Sequence, residues 1–224
     1  MQPGAEKDAQ YYDTLFSERA HYNVHYTDVH YYVQWVQVER FLRPFKNRPI
    51  LEIGCGPGQL AQMLQDLGYT DYTGFDFSEV AVAKATDAVT FPIFQGDALD
   101  PKTYDRPYDA VICLEVLEHL KDDHKVLENI RLGSTVIVSV PNFDDASHVR
   151  WFRSQYQVRS RYYRHIAIER ICFINDIYIV YGTRSDFKPN LVQRLLKTRD
   201  AVGVDGFMLR IKHKLNHLLK IKHR

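Results

Sequence analysis

The chain has 224 residues, 45% of them hydrophobic and 25% charged, which suits one globular domain with modest additions. No run approaches the roughly 18 apolar residues that cross a bilayer, so a membrane-spanning helix is excluded. The net charge of +1 hides an asymmetry: residues 188–224 hold ten Lys/Arg and two Asp/Glu, so an acidic body carries a basic tail.

The opening "MQPGAEKDAQYYD" lacks the basic-then-apolar pattern of a secretory signal. Cys55, Cys113 and Cys172 lie far apart, each in or beside a strand-like run. Free thiols in a reducing, cytoplasmic setting are expected, not a disulfide framework or a zinc site.

Residues 1–45 are dense in aromatics, and from Tyr31 the apolar spacing drifts toward a helix that leads into the core. This part reads as an aromatic helical lid. Residues 46–186 read as a ligand-binding domain. Within it the strand-like runs are "PILEIG", "YTGFDF", "FPIFQG", "YDAVICL" and "STVIVSVP", separated by "GQLAQMLQDLG", "SEVAVAKATDA" and "EHLKDDHKVLENIR". Strand and helix in alternation predict an α/β, doubly wound Rossmann-like sheet of about seven strands, mostly parallel. Its runs are apolar on both faces, as buried parallel strands require. "RICFINDIYIVYGTR" splits at Asn175-Asp176 and predicts an antiparallel edge hairpin. Residues 142–166 are polar, aromatic and basic, and are expected to overlie the strand ends on an acceptor side. In the tail, residues 187–224, Met208, Ile211, Leu215, Leu218 and Leu219 share one helical face opposite basic residues. Such a helix docks on a parent domain or forms a homodimer; contact with an anionic membrane surface or nucleic acid stays open.

"ILEIGCGPGQL", residues 50–60, runs a strand into a glycine loop and then a helix. Amides at such a helix start face outward, and glycine admits a ligand closely. The spacing departs from the dinucleotide G-x-G-x-x-G, because Gly54, Gly56 and Gly58 give G-x-G-x-G and Gln59 stands where the third glycine belongs. Glu52, two residues ahead, would repel a pyrophosphate and suit an ammonium or sulfonium. Asp76 ends the second strand, 18 residues past Gly58, where an acid accepts ribose hydroxyls. Asp97 follows the third strand and can accept from an adenine amino group, with the Ala98 amide donating to the ring and Phe77 and Leu99 as its two faces. Taken alone, Asp76 or Asp97 more often reads as a helix cap or turn residue.

Together, Glu-x-Gly-x-Gly-x-Gly, Asp76, "GDA", "YDAVICLEVLEHL" and "VSVPN" resemble the class I S-adenosylmethionine-dependent methyltransferases over roughly residues 45–142. "LEVLEHL" and "SVPN" are nearest the branch of ubiquinone-biosynthesis O-methyltransferases and small-molecule methyltransferases. The turn before the fifth strand departs from the family, with "LGST" in place of "PGG". The resemblance implies S-adenosyl-L-methionine as cofactor, S-adenosyl-L-homocysteine as product and a small-molecule acceptor. By it, Gly54, Gly56 and Gly58 lie against the methionine part, Asp76 on the ribose and Asp97 on the adenine. Glu52 orients the loop and the ammonium, with Cys55, Gln59, Phe77, Ala98 and Leu114 also beside the cofactor.

Of the N-terminal aromatics, Tyr22 and Tyr26 are expected nearest the cofactor. A hydroxyl acceptor wants a base, and His119 in "LEVLEHL" is the first candidate, ahead of His148 and His165. Glu115, Glu118 and His119, read as a helix start, would share one face. With His165 they resemble the Glu-x-x-Glu-His cluster of metal-dependent small-RNA 2′-O-methyltransferases; a metal-free site is nevertheless expected. Arg150, Arg153, Arg159, Arg161 and Arg164 suggest an anionic acceptor, or else pair with Asp144, Asp145 and Glu169 on a solvated helix. A non-catalytic cofactor-binding scaffold is the remaining reading, and a nicotinamide dehydrogenase is disfavoured by Glu52 and Gln59.

Overall fold

The computed structural model describes residues 4–186, so the predicted amphipathic tail lies outside the described residues. The short apolar runs become β1 (Ile50–Ile53), β2 (Tyr72–Asp76), β3 (Ile93–Gln95), β4 (Ala110–Cys113), β5 (Thr135–Pro141), β6 (Ile166–Ile174) and β7 (Ile177–Arg184). They form one sheet in the order β3-β2-β1-β4-β5-β7-β6. β1 to β5 are mutually parallel, and β7 runs antiparallel to both its neighbours. The expected Rossmann-like sheet with an antiparallel hairpin is therefore what the chain forms. Asn175 and Asp176 turn the hairpin with φ of 47° and 62°, the two positive values that a tight primed turn demands.

Six helices flank the sheet among the described residues: α1 (Ala9–Glu18), α2 (Tyr32–Leu42), α3 (Gln59–Asp66), α4 (Glu79–Ala88), α5 (Asp123–Asn129) and α6 (Gln155–Tyr162). Alternate strand residues feed two cores. Leu51, Ile53, Val111, Val136 and Val138 pack on one face of the sheet; Ile50, Ala110, Ile112 and Ile137 pack on the other. On the second face α2 buries Val38, Phe41 and Leu42 and α3 buries Leu60, Met63 and Leu64. Among the described residues no helix is long and apolar enough to cross a membrane.

One boundary differs from the sequence expectation. The helix after β4 starts at Asp123, not near Glu118, so Glu115, Glu118 and His119 lie in a turn. Two causes are visible. Glu115 has a left-handed φ of 53°, which breaks a helix. The Arg150 guanidinium donates to the carbonyls of Leu117, Leu120 and Lys121, which a continuous helix would have engaged itself.

The same arginine belongs to a buried network. The Asp123 carboxylate, fully buried, accepts from Arg161 at 2.5 and 2.7 Å and from the Tyr162 hydroxyl at 2.9 Å, and lies 3.3 Å from Arg150. These residues fasten α6 and the segment before it to α5. The expected partners Asp144, Asp145 and Glu169 are replaced by one buried acid. Arg159 donates to the Ile168 carbonyl, Arg153 lies over Trp151, and Arg164 donates to the Tyr163 hydroxyl.

Candidate functional site

In an open α/β sheet, ligands bind beyond the carboxyl ends of the strands where the winding reverses. Here β1 and β4 are that central pair, and a cavity of about 290 Å³ opens above them. Its floor is the loops after β1, β2, β3 and β4. Its roof is the N-terminal segment, including Tyr12, Phe16, Tyr22, Tyr31 and Trp35. None of the five arginines 150, 153, 159, 161 and 164 lines it.

The glycine loop forms one end. Gly54 and Gly56 line the cavity with φ of 69° and 51°. A Cβ on Gly56 would meet only the Phe16 ring at 3.9 Å, so its face is open to a ligand. Gly58 is different. It does not line the cavity; it precedes α3 with φ of 81°, and a Cβ there would come within 2.9 Å of Ala85 Cα in α4. It therefore serves close helix packing, not ligand approach. Cys55 and Gln59 also line the cavity, and the Gln59 amide donates to the carbonyls of His21 and Val24, tying the roof to the loop.

Glu52 lies beneath this loop, 3% exposed, and accepts from the Tyr72 hydroxyl. Burial lifts its pKa to about 8 against the lowering effect of that hydrogen bond. Asp76 is also buried. It accepts from the amides of Gly56 at 2.9 Å and Ser78 at 3.0 Å, which tempers the rise to about 6 that burial causes. Both acids face the cavity, and Asp76 keeps lone pairs able to accept from ligand hydroxyls.

Beyond β2 and β3 stand Phe77, Asp97 and Ala98, and Leu114 follows β4 on the other side of the glycine loop. One Asp97 oxygen accepts from the Leu99 amide at 2.8 Å and the other remains open to a ligand amino group. Leu99 does not line the cavity and packs against the core, so its expected place beside a planar base is not taken up. Phe77 is met edge-on by Tyr12 at 5.2 Å.

Next to these lies a cluster of ionisable groups. The Ser139 hydroxyl accepts from the Glu115 amide and donates to the Glu115 carboxyl at 2.6 Å, which holds the left-handed residue in place. Burial raises Glu115 to about 7, and raises the fully buried Glu118 well above the usual carboxylate range. His119 Nδ1 meets the Ser147 carbonyl at 3.0 Å, and His148 Nδ1 meets the Phe143 carbonyl at 3.2 Å. A carbonyl only accepts, so each Nδ1 carries a proton, and in His119, whose ring is neutral, Nε2 presents a lone pair. Burial lowers His119 to about 4, which keeps it neutral at pH 7. Ligand atoms of Glu118, His119 and His148 fall within 4.8 Å of one another, a set able to hold a divalent ion. His165 is elsewhere, packed against His124 with ring centroids 4.9 Å apart; His148 takes the place expected for it.

Tyr22 lines the cavity; Tyr26 does not, because its hydroxyl donates to Asp66 on α3 and its ring packs with Tyr32. Tyr12 belongs to the N-terminal aromatic block read as a lid, and it, not Tyr26, reaches the site, with its ring 5.7 Å from His119 and its buried hydroxyl without a partner among the described residues. Tyr31, of the same block, lines the cavity as well, while Arg19 and Trp35 were missed. The aromatic density was the signal, but spacing alone does not say which rings turn inward.

A family profile described as Methyltransferase domain matches residues 26–176. The Ubiquinone biosynthesis O-methyltransferase of Hydrogenovibrio crunogenus is 29% identical over 122 residues, 49% of this chain and 50% of that protein. The enzyme of the same description from Azorhizobium caulinodans is 39% identical over 88 residues, 37% of this chain and 34% of that one. The chain thus spans about half the length, or less, of these curated relatives. Magnesium protoporphyrin IX methyltransferase from Synechocystis, crystallised with bound SAH, superposes with a TM-score of 0.55 at 18% identity, covering 68% of this chain and 83% of that one, a likeness of fold.

Proposed function

The chain belongs to the class I S-adenosylmethionine-dependent methyltransferases, and from that premise we propose that it methylates a hydroxyl, or else a nitrogen, of a small-molecule acceptor. The residues of the cavity suit the cofactor: an open glycine face, Asp76 for ribose hydroxyls, Phe77 and Asp97 for a base, and acids for an ammonium. S-adenosyl-L-methionine, when bound, supplies an electrophilic methyl group. The protein's part is to align the acceptor and exclude water. Residues 1–45 act as the lid and residues 46–186 as the cofactor-binding domain.

The observation that carries a hydroxyl acceptor is the contact of His119 Nδ1 with the Ser147 carbonyl at 3.0 Å. That contact engages Nδ1–H, so Nε2 is free to take the acceptor's proton as the oxygen attacks. Its curated relatives, named as O-methyltransferases, support oxygen over nitrogen. Calorimetry with S-adenosylmethionine and NAD in parallel, then an acceptor screen for release of the demethylated cofactor, tests the reading. Heat with the first and none with the second is expected; the reverse overturns it. His119→Ala should lower kcat by roughly 10²- to 10⁴-fold and leave cofactor affinity unchanged.

The grouping of Glu118, His119 and His148 favours a second reading, in which a divalent cation holds the acceptor oxygen, as a metal-dependent RNA 2′-O-methyltransferase would. Chelation followed by return of Mg²⁺ or Mn²⁺, with RNA and phenolic acceptors side by side, separates the two. Activity that survives chelation leaves His119 as base. Turnover on no acceptor class despite cofactor binding would point to a scaffold.

A further inference from the structure

Two histidines outside the cavity meet inside the protein. His124, on the first turn of α5, and His165, between α6 and β6, have ring centroids 4.9 Å apart, and the Tyr162 ring meets His124 at 6.2 Å. Neither histidine lines the cavity. The Nδ1 atoms of both rings are buried and have no hydrogen-bond partner among the described residues. The backbone leaves the rings little room to part. The His165 amide donates to the Tyr162 carbonyl at 2.9 Å, and its carbonyl accepts from the Ser185 amide at 2.9 Å and from Arg184 at 3.4 Å. α5 is held near both ends, Asp123 by Arg161 and Tyr162 and the Leu127 carbonyl by Arg184.

The charges around the pair are already matched. Asp123 and Glu128 of α5, Arg161 of α6 and Arg150 from the segment before it act on His124; Glu128, Arg184 of β7 and Asp186 beyond it act on His165. Asp123 is shared by Arg150 and Arg161, and Asp186 pairs with Arg184 at 2.6 Å. Glu128 is exposed, where water screens it. A proton on one ring therefore enters a region with no buried acid left to receive it, and a proton on the second ring meets the first. Burial lowers the pKa of both, and each also feels repelling charges: Arg161 and Arg150 on His124, His124 and Arg184 on His165.

We propose that the contact of His124 with His165 is an acid-released joint: with both rings neutral it closes α5 against the turn between α6 and β6, and protonation drives the two apart. The joint bears on the reaction because Asp123, next to His124, anchors Arg150 and with it the turn that carries His119. The sign follows from the two states. Unfolded, both rings titrate near 6.5; folded, both lie lower. The joint's contribution is complete above about pH 6.5 and is lost as the pH falls below it.

The test compares the full chain with His124→Gln and His165→Gln by urea denaturation from pH 7.5 to 5.5. Groups elsewhere titrate alike in all three, so they cancel in the ratio of folding constants, variant to wild type. That ratio should rise by up to about ten-fold between pH 6.5 and 5.5 in each variant, one proton's worth per pH unit. Hydrogen exchange of the wild type over the same range should show α5 and α6 losing protection before β1 and β4. NMR titration of the wild-type histidine rings supplies a reading that needs no variant: both should titrate below 6.5. A ratio flat with pH in both variants, α5 and α6 opening only together with the central strands, or either ring titrating at or above 6.5 would overturn the proposal.

Discussion

Replacing Glu52 by Gln is expected to stabilise the protein and weaken its cofactor binding together. Glu52 is fully buried, and burial lifts its pKa from 4.5 to about 8. Because the folded value lies above the unfolded one, the folded state keeps a proton that the unfolded chain releases across that interval. Its stabilising contribution is complete below pH 4.5 and is lost progressively as the pH rises to about 8. At about 1.4 kcal/mol per unit, the acid costs the fold about 3 kcal/mol at pH 7. Gln does not titrate, and its carbonyl can still accept from the Tyr72 hydroxyl that Glu52 now engages. Urea denaturation of both proteins at pH 5, 6, 7 and 8 should give a stability gap that widens by about 1 kcal/mol per unit. The same substitution removes a carboxyl that can ionise beside an arriving ammonium, which Gln cannot do, so S-adenosylmethionine should bind more weakly. A gap that stays constant with pH, or a Gln variant less stable than wild type at pH 8, would refute the reasoning.

Gly58→Ala and Gly56→Ala should fail differently. At Gly58 the added Cβ meets Ala85 Cα at 2.9 Å with φ of 81°, so denaturation should show a loss of about 1–3 kcal/mol. At Gly56 the Cβ projects toward open cavity, so calorimetry should record the larger loss in cofactor affinity. Asp123→Asn leaves Arg150 and Arg161 without their buried counter-charge and should cost about 3–5 kcal/mol in urea titrations; a loss below about 1 kcal/mol would contradict that role.

The sheet was legible because its strands are short, β-branched and apolar on both faces, and because Asn175-Asp176 leaves one tight-turn reading for the chain between β6 and β7. The glycine loop was legible in type but not in labour. Three glycines looked equivalent, yet two face the cavity and Gly58 packs against Ala85, the helix-contact duty expected at position 59 of a dinucleotide motif. What the spacing could not carry was contact between distant segments. Gln59 faces the His21 and Val24 carbonyls, and Glu115 is held in a left-handed turn by Ser139, 24 residues on. Neither pairing leaves a mark in local periodicity.

The arginines of residues 150–164 make the same point about charge. As a run they read as a basic surface awaiting an anion, since a pattern records sign and not depth. Asp123 gives no sign in the sequence that it is wholly buried, yet that burial decides the matter: a desolvated carboxylate requires cations, and it draws Arg161 to within 2.5 Å and Arg150 to 3.3 Å. Arg150 thereby takes the carbonyls of Leu117, Leu120 and Lys121 and keeps the chain after β4 from winding into helix. That unwound turn is what carries His119 to the cavity, with Nε2 free and the His148 ring 5.0 Å away. A residue read as a substrate contact thus reaches the reaction only through the backbone it holds. Asp123→Asn should accordingly lower kcat as well as stability, whereas substituting Arg153, which lies over Trp151 outside the cavity, should change neither.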